Sequence, residues 1–420
     1  MNKKKIKILT ISDNPLSPSG VAIETNYMIT SLLKTGEFQF ISLGGAIKHQ
    51  NYQPIKTEEF GDDWVIYPVD GYGNQEIIRS MIRSHKPDML WMMTDPRFYV
   101  WLFQMENEIR PLMPIVYYHV WDNYPYPKFN KSFYDSCDRI VAISKLTEDV
   151  VKNVAPDVQV DYLPHTCPPD LFKKLPELEV KKFKEDNFKD LNDRIIFFFN
   201  SRNARRKQSG SLIYWFKSFL DKVGHDKAVL LMHTDPKDPN GQDLNYIVEE
   251  LGLSENRSVL ISTDKVPPQA LTMLYNAVDC TVSVSDAEGF GKSIQESLMC
   301  ETPVICTMTG GMQDQVTDGE EFFGVGIEPA SKAIIGSQEI PMIFEDRVSE
   351  KDVVEAMEKI LNLSKEERQE LGRKGREFHV TNFGFEDYAK RWYNIFKDTH
   401  KERGSWDSRN GYSGWEARKL

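Results

Sequence analysis

The chain has 420 residues, more than one ordinary hydrophobic core organises, so two domains are expected. Its 40% hydrophobic and 27% charged residues are the balance of a soluble globular protein, and no stretch approaches the ~18 apolar residues of a membrane span. A net charge of -11 argues against a surface built throughout for nucleic acid while leaving room for a local basic patch. The five cysteines, Cys137, Cys167, Cys280, Cys300 and Cys306, are scattered and form no C-x-x-C pair, which points to reduced thiols in a cytoplasmic protein.

The opening MNKKKIKILTISD has a basic head, but Lys7 interrupts its apolar run and Asp13 ends it, so it reads as a first strand rather than a signal peptide. After Ile6 to Ile11, the loop Ser12 to Gly20 leads into a helix carrying Val21, Met28, Ile29, Leu32 and Leu33. That loop lacks G-x-G-x-x-G, which weakens a dinucleotide-binding reading and makes a nicotinamide-dependent dehydrogenase the least favoured function. From the residues alone, Gly20 reads as a helix start with Ser19 near the cap.

Further strands are expected at Phe38 to Leu43, Trp64 to Val69, Asp88 to Met93, Pro114 to His119, Arg139 to Ile143 and Val158 to Leu163. Helical segments alternate with them at Glu76 to Ser84, Val100 to Ile109 and Thr147 to Asn153, which implies an α/β, doubly wound parallel sheet. Ligands in such sheets collect beyond the C-terminal strand ends. Two of those ends form a polar, aromatic rim: Asp95 in one, and His119, Trp121, Asp122 and Tyr124 in the other. Asp95, Trp121, Asp122 and Tyr124 suit either acceptor binding or interdomain packing. A lone histidine such as His119 is ordinarily a satisfied structural residue.

The proline-dense segment Tyr162 to Phe172 and the charged stretch Lys173 to Asp193 read as an interdomain linker followed by a solvated helix face. Alternation restarts at Arg194 to Phe199 and ends in a loop with four cations in six residues, Arg202, Arg205, Arg206 and Lys207. Such a cluster before a helix near Gln208 to Ser211 suits a diphosphate, with forked donors from arginine and a point charge from lysine. Arg205 and Arg206 are candidates for solvent-facing positions, and a nucleic-acid patch is the rival reading. Strands at Lys227 to His233, Ser258 to Ser262 and Ala277 to Val284 follow, with helices at Gln242 to Leu251 and Pro268 to Asn276.

The last of those strands runs into Glu288-Gly289-Phe290-Gly291, after which Ile294, Leu298 and Met299 fall at helical spacing up to Pro303. Glycines let the backbone approach a ligand, and the positive helix start suits a phosphate or polyol oxygen. Glu288 and Glu296 lie eight residues apart, which along a helix is about 12 Å. Thr309-Gly310-Gly311 opens another helix start, Ile327 to Phe344 has room for an extra hairpin, and helices are expected at Val353 to Leu361, Glu366 to Phe378 and Phe385 to Phe396. The polar tail after Lys401, with Trp406, Tyr412 and Trp415, is expected to be disordered or to dock on a partner.

Glu288 and Glu296 around Gly289-Phe290-Gly291 resemble the E-x7-E motif of the retaining GT-B glycosyltransferases of the family 4 type, glycosyl transferases group 1. The resemblance implies two Rossmann-like doubly wound domains facing a central cleft, with a C-terminal helix crossing back to the first. On this division 1–170 is the acceptor domain, 171–193 a linker, 194–380 the nucleotide-sugar donor domain and 381–420 the crossing helix and tail. It implies sugar contacts for Glu288, ribose contacts for Glu296 and backbone donor contacts for Gly289, Phe290 and Gly291. Arg202 and Lys207 match the family's diphosphate-binding arginine and lysine, His119 its active-site histidine, and Gly20 its glycine near the donor or acceptor. The chain departs from the pattern at Lys292, where an aliphatic residue is usual, and at Glu301, where glycine is usual.

The function implied is transfer of a sugar from a nucleotide-diphosphate sugar, with retention, to an unidentified acceptor: a glycan, a lipid-linked glycan or a small molecule. No metal and no permanently bound cofactor are expected, since no D-x-D occurs and the cations stand where a metal would act. Nucleic acid enters only as a possible acceptor. Two alternatives stand beside this one, a nucleic-acid-modifying glycosyltransferase and a non-catalytic sugar-nucleotide binding protein.

Overall fold

The structure is a computed structural model that describes residues 4–191, 194–254 and 257–414. The end of the expected linker, Asn192 and Asp193, and the tail residue Trp415 lie outside the described residues. The chain divides into two compact units: unit 1 holds residues up to 165, 336–341 and those from 386 on, and unit 2 holds 166–335 and 342–385.

Unit 1 is built on an eight-stranded sheet of β1 (Ile6–Asp13), β2 (Phe38–Gly45), β3 (Ile55–Lys56), β4 (Trp64–Pro68), β5 (Met89–Met93), β6 (Ile115–His119), β7 (Arg139–Ala142) and β8 (Gln159–Tyr162). Their order is β3-β4-β2-β1-β5-β6-β7-β8, and only the short edge strand β3 runs antiparallel. The inner strands β1, β2, β5, β6 and β7 are near-continuous buried runs, as parallel strands covered on both faces require, whereas the edge strands β3 and β8 are more exposed. Helix Gly20–Leu33 is capped by Ser19, whose hydroxyl accepts from the Ala22 N–H, and helix Gln75–His85 by Asn74. The expected helix from Val100 to Ile109 is instead two four-residue turns, Val100–Phe103 and Glu106–Ile109. Between them the Met105 N–H closes a tight bond onto the Leu102 carbonyl, which ends the first turn.

The last long helix, Phe385–Arg403, joins this unit from residue 386 on. Its Trp392 is fully buried, 5.0 Å from the Tyr118 ring and 6.0 Å from Trp91, and Phe396 packs on Phe38. The tail is held rather than free: Trp406 donates to the Pro87 carbonyl, Arg409 pairs with Asp138 at 2.7 Å and Tyr412 donates to Asn107. The apolar rings and the buried acid of Asp138 explain why this polar-looking segment docks on its own unit.

Unit 2 carries a parallel sheet of β9 (Ile195–Asn200), β10 (Ala228–His233), β11 (Val259–Ser262), β12 (Cys280–Ser283), β13 (Val304–Thr307) and β14 (Gly324–Ile327), in the order β11-β10-β9-β12-β13-β14. Helices Ser209–Val223 and Glu350–Asn362 cover one face, with Phe197, Phe216, Phe219 and Met357 in the core. Helix Pro268–Ala277 covers the other, with Phe198, Tyr275 and Met299. Leu171 and Leu175, expected within a linker, are fastened to that helix: Thr272 donates to the Leu171 carbonyl and the Leu175 N–H donates to Asn276. A separate hairpin of β15 (Ser331–Ile335) and β16 (Ile343–Arg347) fills the longer stretch noted in the sequence.

The order of strands positions the site. The sheet winds outward from β9 in one direction and from β12 in the other, and β9 and β12 are neighbours, with Cys280 opposite Phe197. This is the topological switch point, where the loops after two adjacent strands diverge and leave a crevice. The basic loop after β9 and the glycine turn after β12 therefore emerge side by side.

Candidate functional site

At the switch point of unit 2, Lys207 and Arg206 converge on one carboxylate. The Lys207 ammonium ion-pairs with Glu288, and Arg206 donates to the same oxygen at 3.0 Å and to the Ala287 carbonyl. Side-chain exposure is 12% for Lys207 and 14% for Glu288, so the pair is nearly dry. Burial opposes ionisation of Glu288, but the charges and hydrogen bonds of Lys207 and Arg206 outweigh it and hold the acid down to about 2. Two cations thus share one anion at the strand ends.

The turn carrying Glu288 is clamped by the segment expected to open a helix. Gly310–Met312 forms only a single 3-10 turn, because its glycines are spent on close approach. A Cβ on Gly310 would sit 2.0 Å from the Glu288 carbonyl oxygen, and one on Gly311 would sit 2.4 Å from that of Gly289. The Gly311 N–H donates to the Glu288 carbonyl at 3.0 Å, and Gln315 donates to that of Phe290. Phe290 is buried against Phe383, and Gly291 takes φ 96° to start helix Lys292–Met299.

Glu296 is buried on that helix and accepts from the Tyr275 hydroxyl at 2.9 Å, while Asn200 at the end of β9 donates to Tyr275 at 2.8 Å. Burial and the Glu296 charge keep Tyr275 protonated, as the donor it has to be. Neither Asn200 nor Tyr275 stood out in the sequence. Tyr275 lies on the apolar face of an amphipathic helix, and only its hydroxyl distinguishes it from core.

The cation loop differs from the sequence expectation in how it spends its charges. Arg206 lies on Glu288, while Arg205 is exposed as expected and also forks onto Glu345 at 2.8 and 2.6 Å. Both find partners because the Gly turn and β16 bring buried carboxylates to the loop. Arg202 is 63% exposed and pairs with Asp238 at 2.6 Å, away from Glu288. Lys292 donates to the Thr166 carbonyl and to Gln295, tying the incoming chain to the helix. Glu301 takes φ 61°, the left-handed conformation for which glycine is usual at this position.

The candidates in unit 1 stand apart in character. His119 is fully buried, with Nε2 2.7 Å from the Tyr134 hydroxyl and its ring between Tyr117 and Trp121. Burial alone drives its imidazole to about 3, so it is neutral. Trp121, expected on a polar, aromatic rim, is buried too, donating to the Asn123 carbonyl. Both turn inward because the apolar strand end needs covering. Tyr124 is half-buried and donates to Asp149, Asp122 is half-buried, and Asp95 caps the turn Pro96–Tyr99 and forks with Arg97. Gly20 is exposed at the start of its helix. Beside it Asp13, at the end of β1, accepts from Ser19 and from Tyr72 at 2.8 Å, contacts that sequence spacing does not reveal.

Residues 180–378 match the family model described as glycosyl transferases group 1, so this stretch is a domain of that family. Among curated relatives, the D-inositol 3-phosphate glycosyltransferase of Acidothermus cellulolyticus is 34% identical over 91 residues, 21% of this chain and 20% of that protein. The chain spans at most about half the length of the curated relatives it matches. Among solved structures, sucrose-phosphate synthase from Thermosynechococcus elongatus superposes with a TM-score of 0.74 at 16% identity, covering 95% of this chain and 100% of that one. Anabaena HepE in complex with UDP-glucose gives 0.68 at 12% identity, covering 93% and 99%. The fold is that of the GT-B glycosyltransferases, two Rossmann-like sheets with a long C-terminal helix on the first.

Proposed function

We propose that this protein is a retaining glycosyltransferase that moves a sugar from a nucleoside-diphosphate sugar to an acceptor hydroxyl. The observation that carries the reading is the pairing of Lys207 and Arg206 with the single carboxylate of Glu288 at the switch point of a group 1 domain. A diphosphate entering there meets a preformed cation pair, and the complex of the related Anabaena fold with UDP-glucose supports a donor of this class. Glu288, once Lys207 turns to phosphate, is free to accept from donor-sugar hydroxyls, and Glu296 lies on the following helix for the ribose.

In the step proposed, the bond between the anomeric carbon and the diphosphate oxygen breaks as the acceptor oxygen attacks on the same face. The acceptor proton passes to the departing phosphate oxygen, so no side-chain base is required. The nucleoside diphosphate leaves with its charge stabilised by Lys207 and the loop arginines, in a dry site where such interactions are strong. His119, packed in the interior, is assigned no contact with the donor.

The test is thermal stabilisation of the purified protein by UDP, GDP, ADP and TDP and their common sugar conjugates, followed by product release with whichever binds. Ligand that binds only the folded state raises the melting temperature by mass action. A shift with one nucleotide, reduced in Lys207→Ala, supports the reading. No shift with any, from folded protein, overturns it.

A further inference from the structure

The only fully buried residue in the two strands of the hairpin β15–β16 is a carboxylate, Glu345. That carboxylate accepts the forked donors of Arg205 at 2.8 and 2.6 Å and a further bond from Arg347 at 3.1 Å. Arg347 in turn ion-pairs with buried Asp286, which also accepts from Gln208 at 2.6 Å. The backbone repeats the linkage: the Asp286 N–H donates to the Arg206 carbonyl at 2.8 Å and the Asp346 N–H to the Asp286 carbonyl at 2.9 Å. Asp346 reaches the third loop, accepting from Thr309 at 2.7 Å beside the glycine clamp.

A chain of alternating charges thus runs Arg205, Glu345, Arg347, Asp286 and closes on the neutral amide of Gln208, with both ends on the loop that holds Arg206 and Lys207. Buried ion networks are poor stabilisers, because desolvation offsets most of the attraction and apolar replacements of similar volume often do as well. What such a network supplies is a fixed geometry for the groups it joins.

We infer that Glu345 and Arg347 are positioning residues for the donor diphosphate, acting through Arg205 and Asp286 to hold Arg206 and Lys207 against Glu288. The inference rests on the function proposed above. It differs from a merely structural role in one respect: the effect of Glu345 on diphosphate binding passes through Lys207 and vanishes when Lys207 is gone.

The experiment is calorimetric titration with UDP, GDP, ADP and TDP, up to millimolar nucleotide, of wild type, Glu345→Gln, Lys207→Ala and the double variant. With the nucleotide that wild type binds, Glu345→Gln is expected to weaken binding about tenfold, and to add less than twofold in the Lys207→Ala background. Wild-type affinity in Glu345→Gln, or the same tenfold loss in both backgrounds, overturns the inference while leaving the donor site intact. Binding of none of the four by folded wild type overturns the functional reading itself and this inference with it. Should Glu345→Gln fail to fold, Arg205→Gln, at the exposed end of the same fork, carries the same expectation.

Discussion

Lys207 and Glu288 lie 81 residues apart in sequence and meet as an ion pair at the ends of the adjacent strands β9 and β12. The pair brings a cation and an anion to the crevice, one suited to phosphate and the other to sugar hydroxyls. Removing either should therefore disable a different part of donor recognition. Lys207→Ala should lower transfer about a hundredfold or more, the scale on which a leaving-group stabiliser acts. Glu288→Ala should do likewise, while Glu288→Asp keeps the charge and regains part of the rate. Initial rates of nucleotide release, with folding checked by circular dichroism, decide the matter. Full activity in either alanine variant sinks the assignment.

The same pair makes stability depend on pH. Glu288 is held at about 2, below the ordinary carboxylate value of the unfolded chain, so the folded state binds its proton less readily. Its stabilisation is complete above about pH 4.5 and is lost as pH falls towards 2. A depression of this size corresponds to at most about 3 kcal/mol. Urea unfolding of wild type and Glu288→Gln across pH 2.5 to 7 should show a gap that closes on acidification. A gap constant with pH would mean that the carboxylate is not held ionised by its neighbours.

Arg202 presents a different case, because its partner is Asp238 rather than Glu288. With Arg202 so exposed, the bond is a solvent-screened one that costs little to break. If Arg202 turns to the diphosphate when donor binds, Asp238 competes with the ligand. Asp238→Asn should then tighten nucleoside-diphosphate binding two- to fivefold, roughly the scale of one exposed pair, and Arg202→Ala should weaken it. Unchanged affinity in both variants would confine Arg202 to its surface ion pair and leave Arg206 and Lys207 as the diphosphate cations.

Much of the architecture was legible because it rests on local pattern. The apolar runs at β1, β6 and β9, the Gly-Phe-Gly turn and the Ser19 cap are all set by residues within a few positions of one another. What was not legible depends on contacts across the sheet. Nothing near Arg205 in sequence indicates Glu345, 140 residues later, and nothing near Glu296 indicates Tyr275 and Asn200 as its line of donors. His119 stands at the strand end where the sequence put it, but the burial of His119 and Trp121 was not legible, since a strand end can turn its polar-looking residues inward when neighbouring rings enclose them. Gly310 and Gly311 looked like a helix start, and only the carbonyls packed against them explain the glycines.

Glu301 offers a test of stability independent of function. Its φ of 61° is costly for any residue with a Cβ, and the helix Lys365–Asn382 fixes the conformation, since Gly372 packs directly against the Glu301 carbonyl. Glycine there removes the steric cost but adds entropy to the unfolded chain, about 0.5–1 kcal/mol against roughly 1–2 kcal/mol gained. Glu301→Gly should therefore stabilise the protein by about 0.5–1 kcal/mol, and Glu301→Val, whose branched side chain suits this conformation worst, should destabilise it. Chemical denaturation of the two variants measures both signs. Loss of stability in Glu301→Gly would show that the glutamate side chain makes a contribution larger than the strain of its backbone.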